Sequence, residues 1–385
     1  MSDLYIAGVE EFRNRFPIFR EKVYINSCSK GALSDLVVEA IQEFLDTWRF
    51  RGSPWEVWGE RVAQARAAFA NLIGAEQREI AVSFCASTAI NAIASALEYK
   101  GRSKVVLGTL EFPTMAHIWL AQRKRGAQVV RVNGRNHRLE PEDYAAEIDE
   151  NTLIIPMTHV CYENGFKTDI KKVIQLAHSF GAYAFVDAYQ SMGTTPINVK
   201  ELDVDFLVSG CLKYMLGLPG IAFLYVKSEL IERLEPCDTG WQAQSLRNML
   251  NNEALDYAED ARRFQSGTQA AQNAYAALAG MQMLQAVGLP AIEAWIGELT
   301  QAIIDGAIAR GMQVLTPTDR RDRGAMVAIQ SKDPAAAVAA LQEHGVIASW
   351  RGSAVRLSVH YYNDMDDVEA ALRVLESNRD LMVGA

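Results

Sequence analysis

Ser209-Gly-Cys-Leu-Lys213 sets a single lysine on a loop between two apolar runs, and the rest of the chain is read outward from it. Upstream, Val204, Phe206, Leu207 and Val208 follow Asp203 and Asp205. Downstream, Ile221-Ala-Phe-Leu-Tyr-Val226 is continuously apolar and is fenced off by Gly217, Pro219 and Gly220. Short apolar runs bounded by turn residues predict buried strands, so Lys213 hangs on a loop anchored in a core. A second such run, Ala182-Tyr-Ala-Phe-Val-Asp187, ends on an acid. In open α/β sheets ligands bind outside the carboxyl ends of the strands, which lets Asp187 and Lys213 face one ligand although they are distant in sequence. Taken singly, Asp187 reads more readily as a helix cap and Lys213 as one more solvated lysine.

A chain of 385 residues, 49% hydrophobic and 22% charged, has the composition and length of a soluble protein with a large core and two domains. The net charge of −9, from 38 basic and 47 acidic residues, argues against a nucleic-acid partner. The start, MSDLYIAGVEEFRNRF, has no apolar signal core, and no later stretch reaches about 18 apolar residues, so the expectation is no membrane span and a cytoplasmic location. Cys28, Cys85, Cys161, Cys211 and Cys237 form no C-x-x-C pair and read as reduced thiols. The histidines give no zinc-binding spacing; His159 with Cys161 is the nearest approach, and no metal site is read.

Residues 1–20 read as an arm laid over another surface. Val23-Tyr-Ile-Asn26 predicts a short strand entering the turn Ser27-Cys-Ser-Lys-Gly31, and Ser34 caps a helix carried by Val37, Ile41, Phe44, Leu45 and Trp48. Trp55 and Trp58 fall in a loop-like stretch, either lining a pocket or packing in the core, and a further helix is predicted from about Glu60 to Gly74. Glu79 to Phe84 is a strand that runs into Cys85-Ala-Ser-Thr88 and then an apolar helix. Ser87 and Thr88 thus stand at a helix amino terminus, where free N–H groups and the macrodipole attract an anion; the alternative is an ordinary cap. No G-x-G-x-x-G or G-x-x-x-x-G-K-[ST] is present, so a dinucleotide or nucleoside triphosphate lacks its usual cradle, while a single phosphate fits. Strands at 104–108, 128–132 and 153–157 follow, with Phe112 in the loop Glu111-Phe-Pro-Thr114 and Thr158-His159 delivered by the last of them. Alternating strands and helices predict an α/β fold with a mainly parallel, helix-covered sheet across residues 21–260. Beyond it, helices broken at Gly288-Leu-Pro290 and strands at 326–329 and 355–359 around an alanine-rich helix predict a smaller α+β domain, 261–385.

Lys213, Asp187, the anion site at Ser87 and Thr88, the aromatic Phe112, and Gln190 just beyond Asp187 would all serve one ligand. It carries a phosphate, a flat ring with a protonated nitrogen, and an aldehyde. Pyridoxal phosphate is that ligand: an amine is needed for the Schiff base, and a carboxylate keeps the ring nitrogen protonated so that the ring can draw off a carbanion's electrons.

On these residues the chain resembles the fold-type I pyridoxal-phosphate enzymes of the class V aminotransferase group, which includes cysteine desulfurases, kynureninases and isopenicillin-N epimerase-like proteins. The motifs carrying the resemblance span nearly the whole chain: YINSCSKG, SFCASTAINAIA, EFPT, THVCYENG, FVDAYQ, SGCLKYMLGLPGIAFLYV, RRFQSGT and VRLSVHYYN. The resemblance implies the aspartate aminotransferase-like fold and an amino-acid substrate processed through an external aldimine. It puts the Schiff base on Lys213, the ring nitrogen on Asp187, the ring hydroxyl on Gln190 and the ring face on Phe112. Ser87, Thr88 and Ser209 would hold the phosphate, Thr158 would border the cofactor, and Thr268 would reach the neighbouring subunit's phosphate in a homodimer with shared sites. Arg356 matches the arginine that takes the substrate α-carboxylate, with Asn26 and Cys28 on the substrate side.

Departures from the family pattern bear on the reaction. The stretch Gly345 to Ser353, GVIASWRGS, lacks the nucleophilic cysteine that desulfurases carry there, which argues against persulfide chemistry. Met115 and Gln190 replace an aspartate and a histidine usual in kynureninases. Cys28, Cys85, Cys161 and Cys211 are read as small buried thiols, with a displaced catalytic thiol as the alternative. Trp350-Arg351 either contacts a substrate side chain or is a surface pair. Amino-group transfer is the leading expectation, with a lyase acting at the β-carbon or an epimerase as alternatives; a non-catalytic ligand-binding α/β protein is the competing class.

Overall fold

The computed structural model describes residues 8–246 and 250–384; the first seven residues of the predicted arm lie outside them. The strands are β1 Val23–Tyr24, β2 Ile80–Ser83, β3 Lys104–Gly108, β4 Gln128–Val132, β5 Thr152–Thr158, β6 Tyr183–Asp187, β7 Phe206–Gly210, β8 Ala222–Val226, β9 Met326–Gln330, β10 Val346–Ile347, β11 Ser349–Arg351 and β12 Ala354–Ser358. β2 to β8 form one sheet in the order β2-β8-β7-β6-β5-β3-β4, parallel except for β8, which runs antiparallel to both neighbours. The mainly parallel sheet expected from the sequence is present.

Its apolar runs are explained by burial on two faces. Phe185, Phe206, Val208 and Leu224 point into one core beneath helices Ala86–Ala96 and Pro113–Ala121. The alternate residues Ala184, Val186, Leu207 and Phe223 enter a second core, shared with helices Trp55–Ile73, Ile170–Ser179 and Ala271–Val287. Each fully buried large apolar side chain is worth about 1.5–3 kcal/mol, so the strands at the centre of the sheet are its firmest part.

The smaller α+β region is built on the antiparallel sheet β11-β12-β9 with helices Pro334–Glu343 and Met365–Ser377. The predicted break at Gly288 is a bend of 81° between helices Ala271–Val287 and Leu289–Ala309. Contacts cross residue 260 in both directions: Ala271–Val287 lies against helices Asp35–Arg51 and Trp55–Ile73, while β1 pairs in parallel with β10. The described part of the arm folds onto the C-terminal region, where Phe12 stacks edge-on to Tyr361 and Arg13 pairs with Asp367 at 2.6 Å.

Two local expectations are corrected. Trp55 and Trp58 are not in a loop: Pro54 is the residue before the helix, which starts at Trp55 rather than near Glu60. Trp58 is buried, its ring 5.2 Å from Phe44, and its Nε1–H donates to Thr47 Oγ1 at 2.9 Å, so tertiary packing overrides the turn signal of Gly52-Ser-Pro54. Likewise Pro113 opens helix Pro113–Ala121 with Phe112 as its N-cap, since proline's fixed φ suits the first helical position.

Candidate active site

Strand register brings the candidate residues to one edge. Thr158 ending β5 is aligned with Asp187 ending β6, which is aligned with Val208 on β7, so three carboxyl ends lie side by side. Asp187 is buried; its Oδ1 accepts the Tyr189 amide at 2.9 Å. Burial raises this carboxyl above its ordinary value, while the Tyr189 amide and Lys213 pull it back.

Lys213 follows β7 on a loop that the chain holds firmly. Leu216 N–H donates to Lys213 O, Gly217 N–H to Cys211 O, and Gly31 N–H to Leu212 O, at 3.2, 2.9 and 2.9 Å. Leu216 adopts φ 58°, a left-handed conformation that costs a non-glycine residue about 1–2 kcal/mol and persists because these bonds fix it. A Cβ at Gly31 would stand 2.3 Å from Lys213 O, so only glycine permits this approach. The Lys213 Nζ lies 4.6 Å from the Tyr189 ring centroid and 5.7 Å from that of Phe112. Burial lowers the amine to about 8; Cys28 and Asp187 oppose the shift, and Arg356 and Arg351 add to it.

The anion end sits where β2 feeds helix Ala86–Ala96. Cys85 is the N-cap, which places Ser87 and Thr88 in the first turn with amides that have no partner within the helix. Ser87 Oγ donates to Thr114 Oγ1 at 3.4 Å, and Cys85 Sγ is 3.3 Å from Thr88 Oγ1. Burial would raise the Cys85 thiol, but hydrogen bonds from Thr88 and Ser87 outweigh it and lower the thiol. Ser209 is buried, and its hydroxyl donates back to Gly210 O at 3.2 Å. Thr268 is exposed and forms no hydrogen bond with the other candidates among the described residues.

At the opposite end Arg356, on β12, is buried. Its Nη1 donates to Tyr162 O at 2.6 Å and its Nη2 to Ser349 Oγ at 3.0 Å, leaving Nε without a partner. Asn26 Oδ1 is also buried and unpartnered. Cys28 is tied by its backbone, N–H to Ser358 Oγ at 2.9 Å and carbonyl to Gln190 Nε2 at 3.0 Å; its thiol lies 3.8 Å from Ser349 Oγ. The segment from Asn26 to Gly31 therefore bridges β12, Gln190 and the lysine loop.

Sequence reasoning gave no role to four residues that the structure adds. Tyr189 and Tyr162 flank Lys213 and Phe112, Tyr162 meeting the Phe112 ring edge-on at 5.1 Å. Ser349 braces Arg356. Glu111 is buried, with Oε1 accepting the Thr158 amide at 2.9 Å and Oε2 unpartnered; burial pushes its carboxyl well above the usual range, with Asp187 adding to the shift. Tyr189 and Tyr162 lie inside motifs already singled out, so their position was the available signal.

These residues fit pyridoxal phosphate. A buried carboxylate suits a protonated ring nitrogen, an amine lowered to about 8 suits the aldehyde, and first-turn amides with two hydroxyls suit the phosphate. Asn26 Oδ1 and Arg356 Nε are buried polar atoms without a partner among the described residues, and such atoms call for one.

The sequence pattern described as "Aminotransferase class-V" matches residues 24–372. The chain is 34% identical over 366 residues to the uncharacterized aminotransferase YcbU of Bacillus subtilis (strain 168), covering 94% of this chain and 96% of that one. It is 27% identical over 392 residues to a kynureninase of Bacillus cereus, covering 96% and 91%. The apo cysteine desulfurase from Thermococcus onnurineus NA1 has the same fold, with a TM-score of 0.86 over 98% of this chain and 99% of that one at 24% identity. With a lysine and an acid on adjacent strand ends and this match along almost its whole length, the chain belongs to the aminotransferase class-V family and is a pyridoxal-phosphate-dependent enzyme of fold type I.

Proposed function

We propose that the protein transfers the amino group of a small amino acid, with Lys213 moving the proton at the substrate α-carbon. The observation that carries this reading is the Lys213 amine, lowered to about 8 between the Phe112 and Tyr189 rings, with the Asp187 carboxyl and Arg356 guanidinium within electrostatic reach. Pyridoxal phosphate, when bound, supplies an aldehyde for amines and a ring that draws electron density from the α-carbon. At neutral to mildly alkaline pH a substantial fraction of Lys213 is neutral, able to take a proton at Nζ and return it. Asp187 would hold positive charge at the ring nitrogen, and Phe112 would lie against the ring and help to exclude water. Ser87, Thr88 and Ser209 would take the phosphate, Gln190 the ring hydroxyl, and Thr158 would border the ring.

Arg356 binds the α-carboxylate, for which a planar, always-charged fork is the matching group, and Asn26 and Cys28 line the same end. A lyase acting on the β-carbon side, by C–S or C–C cleavage, is the second reading, favoured by the likeness to kynureninase. The absence of a cysteine from residues 345–353 and the burial of Cys28 argue against a desulfurase-type persulfide step, with the exposed Cys85 the remaining thiol beside the anion site.

We further propose a homodimer with shared sites. Leu45, Trp48, Phe50 and Trp55 are large apolar side chains left exposed on the two helices at 35–73, Phe50 by 73% and Trp55 by 60%. Thr268, exposed in the single chain, would complete the partner's phosphate site. Residues 21–260 carry the cofactor in this reading, and 261–385 close over it. A cytoplasmic location suits the five free thiols, and among the described residues no single helix is long and apolar enough to cross a membrane.

Incubating the purified enzyme with amino acids, with and without a keto-acid acceptor, tests the reaction. Keto acid formed in step with a new amino acid supports transfer; ammonia, sulfide or a side-chain fragment released without consumption of the acceptor would replace it with cleavage on the β-carbon side.

A further inference from the structure

We propose that Arg351 is a second anion-binding residue of this site and selects substrates with an anionic group at the end of the side chain. The inference rests on the amino-acid reading above. On the β11–β12 hairpin Ser349 faces Arg356, and Arg351 faces Ala354. Side chains two apart on a strand share a face, so Ser349, Arg351 and Arg356 project to the same side, with Trp350 on the other. Arg351 and Arg356 are then diagonal neighbours, a spacing of about 7–8 Å at the backbone.

Both guanidinium groups meet Tyr162. Arg356 donates to its carbonyl, and the Arg351 guanidinium lies 6.0 Å from its ring centroid. Both also depress the Lys213 amine, so their charge is felt where the chemistry occurs. They differ in how they are used. Arg356 is buried and braced by Ser349, whereas Arg351 is exposed and forms no ion pair among the described residues. The nearby Glu163 carboxylate is engaged by the Tyr162 hydroxyl at 2.8 Å. In a chain of net charge −9, a guanidinium left free beside the carboxylate clamp is a subsite for a second anion.

Calorimetry on the cofactor-loaded enzyme tests this with glutarate and butyrate, which carry two carboxylates and one and have no amino group. Glutarate is expected to bind at least tenfold more tightly than butyrate. Arg351→Gln should weaken glutarate at least tenfold and butyrate less than twofold, and Arg351→Lys should recover part of the loss. Equal affinity of the wild type for both acids, or an equal loss of both in Arg351→Gln, would overturn the inference. Glutarate selectivity in an enzyme that turns over no amino acid would sustain it while removing the amino-transfer reading. Equal turnover of L-alanine and L-glutamate by wild type and variant would do the reverse.

Discussion

Asp187 and Lys213 illustrate how much a single side chain can be asked to do. At an effective dielectric of about 20 and a separation of about 4 Å, a carboxylate and a ring cation interact by roughly 4 kcal/mol, close to a thousandfold. Asp187→Asn keeps an acceptor for the Tyr189 amide, so the strand end should survive while kcat falls by about that factor. A fall of less than tenfold in steady-state kinetics would mean that Asp187 does not hold the ring charge. Lys213 gives a pH prediction whose sign follows from its lowered value. The neutral amine is the reactive form, and its fraction grows as pH rises through about 8. In cofactor-free enzyme, trapping of pyridoxal by cyanoborohydride at Lys213 should show a midpoint near pH 8, and a midpoint near the free-lysine value of about 10.4 would contradict the burial argument. Thr158, Asp187, Ser87 and Thr88 were legible as candidates because each stands at a strand end or a helix start. Their supports, Tyr189, Tyr162, Ser349 and Glu111, were not, because pairing across distant segments leaves no local pattern.

At the level of elements, Ser34 and Gly31 make separate predictions about the segment that leads into the site. Ser34 Oγ accepts the Val37 amide at 3.2 Å at the start of helix Asp35–Arg51, so Ser34→Ala should cost about 1 kcal/mol in chemical denaturation. Gly31→Ala forces a Cβ against the Lys213 carbonyl; it should cost about 1–3 kcal/mol and weaken cofactor retention, read as the Tm difference with and without pyridoxal phosphate. An unchanged Tm and an unchanged cofactor increment would show that the two loops do not depend on each other. The strands were readable because burial on both faces makes them continuously apolar. Direction was not: β8 is as apolar as its parallel neighbours, and nothing in such a run records that it is reversed. The helix beginning at Trp55 was hidden for a different reason, since Gly52, Ser53 and Pro54 signal a break that a three-residue connection satisfies.

For the whole molecule, the exposed apolar side chains of Leu45, Trp48, Phe50 and Trp55 and the exposed Thr268 point the same way. Phe50→Glu should shift the protein toward monomer in analytical ultracentrifugation and weaken cofactor retention together, because the partner's threonine leaves with the interface. A monomeric wild type that retains full activity would remove the shared site. Fold class and cofactor were accessible from eight dispersed motifs; the choice among transfer, elimination and epimerisation was not, since it depends on how the substrate sits over the ring. The account stands most directly on Lys213, and the visible spectrum of the purified enzyme, before and after borohydride reduction, for wild type and Lys213→Ala, tests it. The prediction is a yellow band in the wild type that reduction abolishes, with the pyridoxyl group recovered on Lys213, and no such band in the variant; a wild type that stays colourless with added pyridoxal phosphate, or a variant with the same reducible band, would contradict it.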